Sequence, residues 1–230
     1  EALRLSFKQH KEFAVGLKGV QKERTMSDAF DQTTSGESLV NMMDLDLLVG
    51  SGGVLSHAPR REQSAKMLID AFMPEGITQL AVDSIFMMPQ LGVLAHVDKK
   101  EFSEDARKAA LEVFHKDCLI RLGTCITPIG KAKAGEVILN AVLTLSDGTI
   151  KEKELISGEI VRLEAPYEAI QAVLKPSKSM DIGGGKGQEI ETNIFGGTVG
   201  LIFDGRDRPI TIPTNQEERL ESIRSWSDAL

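Results

Sequence analysis

The chain has 230 residues, 41% of them hydrophobic and 27% charged, which is ordinary for a globular protein with an ample core. Its formal net charge of −7 argues against a broad nucleic-acid-binding face, which needs an excess of basic residues. No apolar stretch reaches the roughly 18 residues of a membrane span. The two cysteines, Cys118 and Cys125, are too few for a disulfide framework or a four-cysteine zinc site. We therefore expect a cytoplasmic protein with neither nucleic acid nor membrane as its partner.

The beginning of the chain gives few structural signals. The sequence starts at Glu1 rather than at a methionine, and its first residues resemble the interior of a domain. We therefore expect the chain to be a piece of a longer polypeptide. Residues 3–20 predict either a helix or an extended segment, and Ser35 is a suitable N-cap for a helix over residues 35–43.

An apolar run, a glycine-rich turn and a helix follow one another between residues 45 and 73. Residues 45–49 predict a buried strand, and Gly50-Ser51-Gly52-Gly53 predicts a turn. A helix is expected to begin around Pro59, because proline is favoured at the first helical position. This order of elements is used to place backbone N–H groups against phosphate or ribose. The same glycines suit a tight turn with positive φ, so the pattern alone leaves both interpretations open.

The next residues continue the alternation of strand and helix. Residues 79–88 predict a strand and turn that closes at Pro89–Gly92. Ser103 is a suitable cap for a following helix, whose first turn carries Glu104 and Asp105. Alternating strands and helices indicate an α/β region, which we place at residues 1–117.

After Cys118 the pattern becomes that of β-structure. A strand is predicted at 136–145, followed by a hairpin turn at Asp147-Gly148 and an extended stretch at 150–163 that is broken at Gly158. Two further strands, at 198–203 and 210–212, are predicted to flank a turn at 204–209. A last helix is predicted to start with the capping box 214–217. Residues 118–230 are therefore predicted to form a β-rich domain that ends in a helix.

Three stretches, in this order, resemble one known family: residues 49–61, residues 80–92 and residues 196–209. The family is the MutL family of glutamate-mutase systems, which shares only a name with the mismatch-repair protein. Its members are encoded beside adenosylcobalamin-dependent mutases and aminomutases, and they are related to the actin-like, sugar-kinase and Hsp70-type ATPases. The resemblance implies that residues 1–117 form part of an actin-like (ribonuclease-H-like) ATPase lobe. It also implies a reactivating chaperone that uses ATP and Mg²⁺ and has a mutase or aminomutase as its partner.

The resemblance also assigns a site. Gly50, Ser51, Gly52 and Gly53 match the superfamily's adenosine motif, which packs against the bound nucleotide. Arg60 and Arg61 follow the turn and are suited to contact a phosphate or the adenine face, although solvated surface charges are an equal alternative.

Asp83 is a candidate for holding a magnesium-bound water, because magnesium keeps several waters and takes few protein carboxylates. Its structural alternative is a cap on the turn before Met87-Met88-Pro89.

One element of the superfamily's pattern is missing. Its first phosphate motif should lie well upstream, and residues 28–34 carry acids and threonines but no glycine. The resemblance therefore implies a C-terminal half that holds one wall of a nucleotide cleft, with its catalytic residues unknown. Alone, this half is expected to bind nucleotide poorly and to hydrolyse none. Asp181–Gly185 imitates a second phosphate motif but lies too late in the chain, so we expect an exposed loop there.

Other kinds of chemistry have little support. The four histidines show no metal-ligand spacing, and Ser56 and Ser84 lack the G-x-S-x-G elbow of serine hydrolases. Two alternatives to the reactivating chaperone remain open. One is a non-catalytic interaction module with a degenerate ATPase-like lobe, and the other is a small-molecule kinase of the same superfamily.

Overall fold

The structure is a computed structural model that describes residues 1–14, 40–97 and 103–230. The predictions for Ser35 and for residues 28–34 lie outside these ranges. The helices are α1 (Ala2–Phe13), α2 (Gly53–Ser56), α3 (Arg61–Phe72), α4 (Met88–His96), α5 (Glu104–Val113) and α6 (Gln216–Ala229). A short 3₁₀ turn covers Met42–Asp44, and a π-helical turn, Phe114–Cys118, continues α5.

Within the described ranges, the strands make up a five-stranded mixed sheet, a four-stranded antiparallel sheet and one isolated two-stranded pair. The five-stranded sheet has the order β1 (Leu47–Gly50), β2 (Gly76–Asp83), β3 (Leu119–Thr127), β11 (Gly200–Asp204) and β7 (Ile160–Leu163). The four-stranded sheet has the order β10 (Ile190–Phe195), β8 (Ala169–Pro176), β5 (Val137–Thr144) and β6 (Ile150–Ile156). The pair consists of β4 (Ile129–Gly130) and β9 (Met180–Asp181).

The five-stranded sheet is the middle of three layers. Leu201 and Phe203 on β11 pack against the four-stranded sheet, whereas the intervening Ile202 packs against the helical side. Leu68 on α3 and Leu230, next to the end of α6, belong to that helical side. Because alternate residues of a strand point to opposite faces, a strand covered on both sides is buried at every position, as β11 is, and its residues 200–203 are apolar.

Most of the elements predicted from the sequence are present. The mixed α/β composition, the β-rich continuation and the C-terminal helix are confirmed. Ser103 caps α5 through a hydrogen bond that its Oγ accepts from the Ala106 amide at 3.2 Å. Gly148, with φ of +81°, forms the predicted hairpin turn between β5 and β6. An actin-like lobe specifically stays a prediction.

Three local predictions were wrong. Helix α3 starts at Arg61 and not at Pro59, since the short helix α2 and an extended Arg60 come first. The residues predicted as a closing turn, 89–92, lie inside α4, where Pro89 occupies an early helical position that needs no N–H. Residues 210–212 form no strand.

The domain boundary predicted near residue 117 runs through the five-stranded sheet. Strands β1 and β2 precede the boundary, and β3, β11 and β7 follow it. Within the described ranges, no helix is both long enough and apolar enough to cross a membrane. Both cysteines are buried free thiols, and burial raises the pKa of the Cys125 thiol to about 12.

Candidate functional site

The glycine turn lies at the carboxyl end of β1, which runs parallel to β2. Gly50 is closely packed, because a Cβ there would lie 3.0 Å from the Leu55 Cδ1 atom and 3.1 Å from the Leu68 Cδ2 atom. Gly52 has φ of +98°, a conformation that glycine adopts readily. A Cβ on Gly52 or on Gly53 would have no atom within 4 Å. These two residues therefore present bare backbone to open space.

A cavity of about 930 Å³ opens against this turn. Its walls come from Ser51–Leu55, the first residues of α1, one face of α3, the loop at 206–212 and the last turns of α6. The volume is within the range of small-molecule sites, about 300–1,000 Å³. The lining is mostly apolar, with a few charged side chains, which are Glu1, Arg4, Lys66, Asp70 and Arg206.

Helix α3 contributes two charged side chains, Lys66 and Asp70, to the cavity wall. Because they are four residues apart, they lie on the same helix face. The Lys66 ammonium donates a hydrogen bond to the Ser227 carbonyl oxygen at 2.6 Å, and its partial burial lowers the pKa of this group. The Asp70 carboxylate forms a salt bridge with Arg206, with 3.0 Å between Asp70 Oδ1 and Arg206 Nη1.

Behind the cavity wall, Asp204 holds two arginines in a buried network. Its Oδ1 accepts from Arg206 Nε at 2.9 Å, and its Oδ2 accepts from Arg206 Nη2 at 2.8 Å and from Arg208 Nη2 at 2.9 Å. Arg208 Nε also donates to the Pro74 carbonyl oxygen at 3.2 Å. Burial alone would raise the pKa of the fully buried Asp204, but hydrogen bonds and charge from Arg206 and Arg208 outweigh it and lower the pKa.

Arg206 also connects this network to α6. Its guanidinium lies 5.2 Å from the centre of the Trp226 ring, a cation–π contact. The Trp226 Nε1 atom donates a hydrogen bond to the Gly158 carbonyl oxygen at 2.9 Å. The residues at 204–209, predicted as a plain turn between strands, therefore form a buried ionic support for one wall of the cavity.

Asp83 lies behind the glycine turn and does not line the cavity. Its Oδ1 accepts from the Met87 amide at 3.1 Å, and its Oδ2 accepts from the Met88 amide at 2.8 Å and from Ser51 Oγ at 3.4 Å. These contacts are those of a cap on the turn that starts α4, the structural alternative raised by the sequence. Among the described residues, no group of three or more His, Cys, Asp and Glu side chains is placed to hold a metal ion.

Arg60 and Arg61 lie apart from the cavity. Arg61 Nη1 donates to the Ser56 carbonyl oxygen at 2.8 Å, which ties α3 to the end of α2. Arg60 is exposed and faces a separate depression with Glu62 and Arg162. The structure therefore brings Ser51, Gly52 and Gly53 into the cavity wall and leaves the two arginines outside it.

Sequence reasoning missed the charged residues of the cavity. Lys66 and Asp70 could have been found from their four-residue spacing on the helix that follows the glycine turn. Arg206 and Trp226 gave no such signal, because only the fold brings them to residues far earlier in the chain.

The fold and the cavity define a mixed α/β protein with a glycine-lined site of small-molecule size at the end of a parallel strand pair. Residues 1–117 match the sequence model of the family described as MutL protein. Since the match covers just over half of the 230 residues, the chain belongs to the MutL family. The resemblance predicted from the sequence is thereby confirmed, although the match ends before residues 196–209. No curated protein and no solved structure matches the chain.

Proposed function

We propose that the chain is part of an ATP-dependent reactivating chaperone for an adenosylcobalamin-dependent mutase or aminomutase. Membership of the MutL family supports a role associated with glutamate-mutase systems. The observation that carries the nucleotide part is the bare backbone of Gly52 and Gly53 in the wall of the cavity. A nucleotide can approach a backbone closely only where no side chain intervenes.

Three of the five charged residues of the cavity have a role in this proposal. Lys66 attracts phosphate oxygens, and the partly exposed carboxylate of Asp70 accepts hydrogen bonds from ribose hydroxyls. Arg206 is fixed between Asp70 and Asp204, so it holds the wall in shape rather than moving towards a ligand. When Mg²⁺ is bound together with ATP, it would neutralise part of the negative charge of the phosphates.

The proposed mechanism converts nucleotide turnover into motion. Opening and closing of two ATPase lobes releases a damaged cobalamin from the mutase, so that intact cofactor replaces it. In this mechanism the residues of the chain bind and orient ATP, while the hydrolytic step depends on positioning and electrostatics. The β-rich region at residues 118–213 is the proposed partner-contacting part, and a cytoplasmic setting belongs to the proposal.

The effect of Gly53→Ala on ATP binding tests the nucleotide site. The added methyl group meets no protein atom, so the melting temperature should not change, whereas ATP affinity should fall by at least about tenfold. Isothermal titration calorimetry of the complete polypeptide measures this affinity. Gly92→Ala on α4 is the matched control, because a Cβ there is also free of contacts and lies far from the turn in sequence. Equal ATP affinity in wild type and Gly53→Ala would contradict the proposed site.

The reactivating role needs a second measurement. ATP hydrolysis by the complete polypeptide should increase when the mutase with damaged cofactor is added. Absence of hydrolysis with and without the mutase would contradict the ATP-driven mechanism, and mutase binding without any nucleotide effect would favour an interaction module. Turnover that depends on a small hydroxylated compound would favour a kinase.

A further inference from the structure

Lys66 is a cation in the cavity wall that forms no salt bridge within the described ranges. Asp70 lies one helical turn further along α3, but its carboxylate is paired with Arg206. The ammonium group of Lys66 makes one hydrogen bond to the described residues, to the Ser227 carbonyl oxygen at 2.6 Å. Because an ammonium group has three N–H donors, two of them remain for a ligand. Lys66 can therefore bind an anion without losing its contact with Ser227.

The contact with Ser227 restrains Lys66 at the cavity wall. A free lysine side chain samples many rotamers, and fixing it on a ligand costs conformational entropy. Here the side chain is fixed before any ligand arrives, because the Ser227 carbonyl oxygen holds the ammonium group and Ser227 itself lines the cavity. A group that is fixed in advance binds its ligand more tightly than a mobile one. The position of Ser227 therefore affects how well Lys66 binds phosphate.

Helix α6, which carries Ser227, is anchored by the residue before it, Trp226. None of the residues of α6 is buried, and Trp226 packs against the helical side of the core. Within the described ranges, Trp226 is the one side chain of α6 that hydrogen-bonds to a residue outside the helix, the Gly158 carbonyl oxygen at 2.9 Å. Its ring also lies 5.2 Å from the Arg206 guanidinium. Trp226 therefore fixes the part of α6 from which the Ser227 carbonyl reaches Lys66.

We propose that Trp226 is a positioning residue of the nucleotide site: it docks α6 so that the Ser227 carbonyl holds Lys66 for the phosphate groups of ATP. This inference rests on the proposed function, since it takes the cavity to be the ATP site. Docking of α6 and binding of phosphate then stabilise each other, because a coupling between two equilibria acts in both directions. Helix α6 thereby becomes a part of the nucleotide site whose stability depends on the ligand.

Two other roles of Trp226 must be separated from this one. The first is purely structural, in which Trp226 stabilises the fold and ATP affinity does not depend on it. The second is direct contact, because Trp226 itself lines the cavity and an aromatic ring can stack on a base. Direct contact with adenine would affect adenosine and ATP alike, whereas positioning of Lys66 affects only ligands that carry phosphate.

Trp226→Phe tests the positioning role. Phenylalanine keeps an aromatic ring but has no N–H to donate to the Gly158 carbonyl oxygen, so α6 should dock less firmly. ATP affinity should fall about threefold to tenfold, whereas adenosine affinity should not change. Isothermal titration calorimetry of the complete polypeptide measures both affinities. Leu220→Ala is the control and should change neither, because Leu220 is an exposed apolar residue of the same helix that does not line the cavity.

A double-mutant cycle and hydrogen exchange complete the test. Lys66→Met keeps a long side chain but removes the ammonium group, so Trp226→Phe should cause no further loss of ATP affinity in this background. In the wild type, ATP should slow amide hydrogen exchange in residues 224–229 at least about threefold, and adenosine should not. The exchange measurement needs no variant, so it tests the inference even where a substitution prevents folding.

The results distinguish failure of this inference from failure of the proposed function. A wild type that does not bind ATP would overturn both. Equal ATP affinity in wild type and Trp226→Phe, or an equal loss of adenosine affinity, would overturn the inference alone. A further loss of ATP affinity in the Lys66→Met background, or exchange in α6 that ATP leaves unchanged, would do the same and leave the nucleotide site standing.

Discussion

Replacement of Asp204 by asparagine is expected to destabilise the fold by about 3–5 kcal/mol, because it leaves buried guanidinium groups without their carboxylate. Of its two carboxylate partners Arg206 would keep the largely exposed Asp70, and Arg208 would keep only neutral acceptors among the described residues. Chemical denaturation at neutral pH, monitored by circular dichroism, measures the change. Asp207→Asn is the matched control, because that carboxylate is exposed and lies three residues further along the chain.

The effect of Asp204→Asn should depend on pH in a defined direction. The pKa of Asp204 in the folded protein is below its ordinary value of 3.8. Its contribution to stability is therefore complete above that ordinary value and is lost as the pH falls through the lower pKa of the folded state. The difference in unfolding free energy between wild type and variant should accordingly be constant near neutral pH and shrink in strong acid. A difference that stayed constant in acid would contradict the role assigned to the Asp204 charge.

Replacement of Gly123 by alanine is expected to prevent cooperative folding. Gly123 on β3 pairs with Gly200 on β11, and a Cβ on Gly123 would lie 1.7 Å from the Gly200 carbonyl oxygen. Its φ of +139° is a further obstacle to a side chain. Because the clash is with backbone, no side chain can move to relieve it, and the loss should exceed about 4 kcal/mol. Thermal unfolding and soluble yield measure the outcome.

Gly135→Ala separates the steric clash from the backbone strain. Gly135 has a positive φ of 83°, but a Cβ there would meet no atom within 4 Å. It should lose only about 1–2 kcal/mol, the cost of a left-handed conformation for a residue with a side chain. Equal melting temperatures of Gly123→Ala and Gly135→Ala would contradict the prediction, because the clash between β3 and β11 would then add nothing to the cost of the backbone strain.

The elements that sequence reasoning predicted well are those fixed by local chemistry. The strand that ends at Gly50, the helix capped by Ser103 and the hairpin at Gly148 each depend on residues within a few positions of one another. The strand differs from its prediction in one respect, because β1 is an edge strand with Leu47 exposed and not a buried strand. Helix α4 was missed because Pro89 and Gly92 usually indicate a turn, while the cap that starts this helix comes from Asp83 at the end of β2.

The residues of the candidate site also fall into those that the sequence could predict and those that only the fold brings together. The family resemblance assigned Gly50, Ser51, Gly52 and Gly53 to the site, and the structure places the last three of them in the cavity wall. Arg60 and Arg61 were included because they are close in sequence, but the extended residue before α3 directs them elsewhere. Arg206 was missed because its partner Asp70 is on a different element, and ion pairing between distant segments leaves no periodic pattern.

The central position of β3 also sets an order of events during protein synthesis. One edge of β3 pairs with β2, which is made just before it, and the other pairs with β11, which is made last among the strands. Until residue 204 has left the ribosome, that second edge is an unpaired template for association with other chains. A recombinant product cut at residue 117 would lack β3 altogether and would expose the edge of β2 instead. Residue 204 is thus the earliest end point at which an expressed fragment contains every strand of the sheet that holds the glycine turn.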